Sequence, residues 1–127
     1  MEKRRRQKRW VVWGQQLKKQ SRDSTHALKK AHALYEQALQ KQAQLQNYIE
    51  VYAKMAQEPI ETGIASFVFA NRQAFLNHLM DLNLYQEKQV AKTHQSFEKN
   101  KLAWGVLHEK EKHLEKFLKK QQQWLST

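Results

Sequence analysis

The chain has 127 residues, 40% of them hydrophobic, and 23 Lys and Arg against 12 Asp and Glu give a formal net charge of +11. The length suits one domain, and the dominance of Gln, Lys, Glu, Ala and Leu is that of long helices and coiled coils. The absence of cysteine excludes a disulfide framework, a Cys-based zinc site and a thiol nucleophile. No apolar run approaches membrane-spanning length, which points to a soluble, cytoplasmic protein.

The charge is unevenly placed. Residues 1–30 hold 11 Lys and Arg against two acids, a balance of +9, whereas residues 31–127 are close to neutral at +2. The positive end begins with Lys3, Arg4, Arg5, Arg6, Lys8 and Arg9, followed by Trp10 and Trp13. The apolar stretch Trp10-Val11-Val12-Trp13 is too short for a signal-peptide core and leads into further charge. Three readings of this run stand side by side. It is a solvated, poorly ordered tail, a nucleic-acid contact with tryptophans stacking on exposed bases, or a dock on an anionic membrane surface. An acidic protein partner fits the same field.

The first long segment carries a heptad frame. One set of seam positions reads Leu17, Ser24, Ala31, Ala38, Leu45 and Tyr52; the other reads Ser21, Leu28, Tyr35, Gln42, Ile49 and Ala56. Nine of these twelve are apolar, enough to predict a coiled-coil helix. The cluster Ser21-Arg22-Asp23-Ser24-Thr25 is poor in helix formers and offers a cap for a helix starting near Thr25. Residues 1–20 are accordingly read as a basic, flexible segment, and the helix as running to about residue 56.

The only proline, Pro59, then falls beside Gly63, and the interval 57–65 is predicted as a bend. The second helix is expected over about 66–125, with Ser66 as N-cap. Its seam is read as Phe75, Leu79, Leu82, Gln86, Val90, Phe97, Trp104, Leu107, Leu114, Leu118 and Leu125, with Thr93 and Asn100 on it. The step through 82, 86 and 90 predicts a stutter that locally unwinds the supercoil. Gly105 costs roughly 1 kcal/mol relative to alanine without ending the helix. The predicted fold is therefore all-α, two long helices in an antiparallel coiled-coil hairpin forming a rod.

A rod offers no catalytic cleft. The six histidines (26, 32, 78, 94, 108 and 113) never fall three or four residues apart, and Glu109 with His113 cannot close a metal site alone. There is no P-loop and no nucleophile elbow. Neither enzyme activity nor a cofactor is expected. Near the bend, Phe75, Leu79 and Leu82 share one helix face, while Phe67, Val68, Phe69, Leu76 and Met80 lie on others. One hairpin cannot cover them all, so some apolar surface there is predicted to meet a protein partner. Trp124 and Leu125 invite the same reading more weakly.

Together these elements resemble the FliJ family, a coiled-coil component of the bacterial flagellar type III export apparatus. The carrying residues are Leu45, Tyr48 and Tyr52 closing the first helix, Gly63-Ile64 in the bend, and Phe75, Leu79, Leu82 and Gln86 opening the second. Trp104 and Leu114-Glu115-Lys116-Phe117 follow, so the likeness covers roughly residues 25–120. It implies a stalk similar to the γ subunit of rotary ATPases, binding the hexameric export ATPase, the export gate and export chaperones at the inner face of the cytoplasmic membrane. Carried over by position, Phe75, Leu79, Leu82 and Gln86 become the gate-binding face. The paired terminal portions become the side turned to the ATPase, and they include the end holding Lys3 to Arg9, Trp10 and Trp13, whose charge by itself suits an anionic partner. The stalk proteins of injectisome secretion systems share this architecture, and a basic coiled-coil nucleic-acid binder is the alternative class.

Overall fold

A computed structural model describes residues 2–57 and 65–126, apart from the side chains of Ala65, Ser66 and Ser126. The fold is all-α. Helix α1 spans Glu2–Gln57 and helix α2 spans Ala65–Ser126, and the two pack against each other as a hairpin. The Pro59–Gly63 break lies outside what is described, and α2 begins at Ala65, so Ser66, expected as its N-cap, falls one residue inside the helix. The chain divides into two compact units, one of Met1–His32 with Ser96–Thr127 and one of Ala33–Gln95.

In the first unit α1 and α2 run antiparallel, as three cross-helix contacts show. Trp10 meets Phe117 with ring centroids 4.9 Å apart, the Trp104 indole nitrogen donates to Thr25 Oγ1 at 3.0 Å, and His32 meets Phe97 at 5.2 Å. The second unit is antiparallel as well. Tyr35 meets His94 at 5.1 Å, Gln86 bonds to Ala38, and Tyr52 meets Phe75 at 4.6 Å. The Arg72 guanidinium also donates to the Met55 carbonyl at 3.0 Å. That supplies a cation and a donor to the last described turn of α1, where carbonyls lack helical partners.

The protected positions of α1 alternate steps of three and four from Gln7 to Ala56 and include all twelve expected seam residues. Extending the seam through Trp10 and Gly14 corrects the start expected near Thr25. Residues 21–25 lie inside α1, where Thr25 Oγ1 donates back to the Ser21 carbonyl at 2.9 Å. A hydroxyl that bonds one turn back is compatible with a helix interior. Burial of the neighbouring Leu17 and Ala31 outweighs the weak local propensity.

The seam of α2 differs from the expected one. Its protected positions are Arg72, Leu76, Leu79, Asn83, Gln86 and Val90, continuing in unbroken three-four steps to Gln121. No stutter occurs: Asn83 takes the seam position and Leu82 sits beside it. The same holds for Leu76 and Phe75. The phase is set by packing along the whole helix, so a single polar residue follows it instead of shifting it.

Leu17, Ala31, Ala38, Leu79 and Leu114 are the buried apolar residues among those described. Each leucine contributes on the order of 1.5–3 kcal/mol by leaving water. Gly14 lies where the helices come close, since a Cβ there would stand 3.3 Å from Leu114 Cδ2, whereas Gly105 faces open space.

Candidate functional surfaces

The four residues expected to form one gate-binding face do not lie on one exposed stripe. Leu79 and Gln86 are buried in the seam at 6% and 8% exposure, while Phe75 and Leu82 are exposed at 43% and 40%. The reason is angular. Positions 79 and 86 point at α1, and 75 and 82 are each one residue before a seam position, on its flank. Tyr48 and Met55 occupy the corresponding flank of α1, one residue before Ile49 and Ala56.

A groove of about 320 Å³ lies on this flank, lined by Leu45, Tyr48, Leu82 and Tyr85 with the polar Lys41, Gln44 and Gln86. Tyr48 and Tyr85 are both exposed large side chains, and Phe67, Phe69 and Met80 add apolar surface on the same unit. Of the residues singled out from sequence, Leu82 and Gln86 line this groove and Phe75 lies on the same flank against Tyr52, whereas Tyr48 and Tyr85 were missed as groove walls. Their signal was the register itself, because in an antiparallel pair the residues preceding facing seam positions share an edge.

The basic end is built differently. Residues 3–13 are helical, and Arg6, Arg9, Trp10 and Trp13 line a cleft of about 570 Å³ together with Phe117 and Gln121 of α2. Trp10 is half-buried between Trp13, at 5.5 Å edge-on, and Phe117. Lys3 holds its ammonium 5.2 Å above the ring of Trp124, within cation–π range. Arg4, Arg5, Lys8 and Arg9 are exposed. Of the residues expected there from sequence, Lys3, Arg6, Arg9, Trp10 and Trp13 come together, with Phe117 and Trp124 beside them, while Arg4, Arg5 and Lys8 line neither this cleft nor the adjoining one at Lys3 and Trp124. The unit that contains them carries 18 Lys and Arg against six acids, and residues 33–95 carry five against six. All of the net positive charge therefore belongs to one unit.

The histidines pair locally. His113 lies 3.6 Å from Glu109 and His108 lies 4.0 Å from Glu111, and His108 stacks on Trp104. Among the described residues no group of three or more His, Asp or Glu is placed to hold a metal ion. Nor is any described helix long and apolar enough to cross a membrane.

A family model described as "Flagellar FliJ protein" matches residues 15–125. No curated protein and no solved structure matches the chain.

Proposed function

The chain belongs to the flagellar FliJ protein family and is a component of the flagellar export apparatus; from that premise we propose that it serves there as a non-enzymatic, stalk-like adaptor. It binds the hexameric export ATPase, contacts the cytoplasmic part of the export gate, and escorts export chaperones between substrates. Its working place is the inner face of the cytoplasmic membrane, reached through the gate.

The observation that carries this reading is the contrast between the two units. One is strongly basic and aromatic; the other is nearly neutral and exposes a flank of apolar and aromatic side chains. Two unlike surfaces suit a part that engages two unlike partners. The gate contact is assigned to the exposed flank, with Phe75 and Leu82 as anchors and Tyr48 and Tyr85 as walls. Leu79 and Gln86 support it from the seam. Aromatic and apolar anchors of this kind carry most of the energy of a protein interface. The ATPase contact is assigned to the paired helix segments of the basic unit.

Affinity capture from the native cell tests the reading. The tagged full chain is expected to retain the export ATPase and the gate protein, and the Phe75→Ala/Leu82→Ala variant to retain the ATPase alone. Recovery of an injectisome ATPase instead would move the protein to that system, and recovery of neither would remove the export role.

A further inference from the structure

We propose that the basic, aromatic surface of the first unit docks directly on an anionic lipid surface. Six Lys and Arg fall between Lys3 and Arg9, and no acid occurs between Lys3 and Arg22 or after Glu115. A cluster of four to eight such bases is what an anionic leaflet attracts. Charge alone does not choose the partner. The choice rests on what lies between the charges.

Trp13, Phe117, Trp124 and Leu125 are exposed, Trp124 at 74%, and they line two adjoining clefts together with Lys3, Arg6 and Arg9. Aliphatic groups among bases gain nothing from a phosphate backbone. They do gain by leaving water for the boundary between headgroups and acyl chains, the depth at which tryptophan is favoured. Stacking on nucleobases, in contrast, needs open ring faces. Here Trp10, the indole nearest the middle of the cleft, is packed between Trp13 and Phe117. The arrangement fits a surface that draws the bases to the headgroups and lets Trp13, Trp124 and Leu125 enter. This inference gives the unit assigned to the ATPase contact a second role at its exposed basic surface, and it does not rest on that assignment.

The test uses the full chain with phosphatidylcholine vesicles, with and without phosphatidylglycerol. The chain is expected to sediment with the anionic vesicles only. Its tryptophan emission should shift to the blue and be quenched by brominated acyl chains, and Trp13→Ala/Trp124→Ala should remove most of that quenching. Each base lost near the surface is expected to weaken binding about fivefold. Arg4→Gln/Arg5→Gln should therefore cost on the order of 25-fold. Lys29→Gln/Lys30→Gln removes the same charge from elsewhere in the unit and should cost less than about twofold, a distance of several helical turns exceeding the screening length. Unchanged helical circular dichroism in each variant keeps folding out of the result. Equal losses in the two charge variants, unquenched indoles, or tighter binding to a single-stranded oligonucleotide at the same salt would each overturn the proposal.

Discussion

The side-chain amide of Gln86 donates a 2.9 Å hydrogen bond to the backbone carbonyl of Ala38, 48 residues away on the opposing helix. Both residues are buried, so the bond ties one register of α1 to one register of α2 inside the seam. Three residues earlier, Asn83 also points inward, but its Oδ1 is buried without a partner. One seam amide is satisfied by the other helix; the other is half satisfied, with only a 3.4 Å contact from Nδ2 to Glu87.

Asn83→Leu is therefore expected to stabilise the hairpin. It removes an unpartnered buried acceptor and adds apolar surface at a seam position, together worth about 1–2 kcal/mol. Urea unfolding followed by circular dichroism measures it. A loss of stability would mean that the carbonyl oxygen has a partner in solution.

Leu79→Ala and Phe75→Ala/Leu82→Ala should have opposite profiles. Leu79 is buried, and its truncation should cost about 2–5 kcal/mol. Phe75 and Leu82 are exposed, so each truncation should cost about 1 kcal/mol at most while gate binding is lost. Thermal melts beside gate pull-downs separate the two effects. A collapse of stability in the double variant would put that flank in the core.

The pattern of agreement between sequence and structure follows from how each signal is encoded. The α1 seam was legible because its apolar residues fall on heptad positions, and even its polar members Ser21, Ser24 and Gln42 stay in phase. In α2 the apolar residues Phe75 and Leu82 drew the predicted seam one residue off, where Leu76 and Asn83 belong. A residue's own hydrophobicity says little about phase when the opposing helix decides it over many turns. The crowding of bases at one end was legible as a charge pattern. The helical state of that end was not, because the contacts of Trp10 with Phe117 and of Lys3 with Trp124 join residues more than a hundred positions apart.

Gly105→Ala should raise stability by about 1 kcal/mol, the helix-propensity difference, because a methyl there meets nothing. Gly14→Ala should give less than Gly105→Ala, since its methyl would stand 3.3 Å from Leu114 Cδ2 and the leucine must give way. Denaturant midpoints of the two variants show the ordering. The reverse order would contradict the close approach at Gly14.

Trp104→Phe keeps the apolar bulk but removes the indole donor to Thr25. The expected cost is about 1 kcal/mol, the net worth of a hydrogen bond between neutral groups. Thr25 keeps its own bond to the Ser21 carbonyl, so Thr25→Ser should be nearly silent by comparison. Thermal unfolding of both variants tests whether the contact contributes as described.

The central claim, a stalk-like adaptor without turnover of its own, is tested most directly by titrating the purified chain into the purified cognate export ATPase and measuring ATP hydrolysis. The account predicts a rate that rises and saturates with added chain, and no hydrolysis by the chain alone. An ATPase that neither binds the chain nor changes its rate would contradict it.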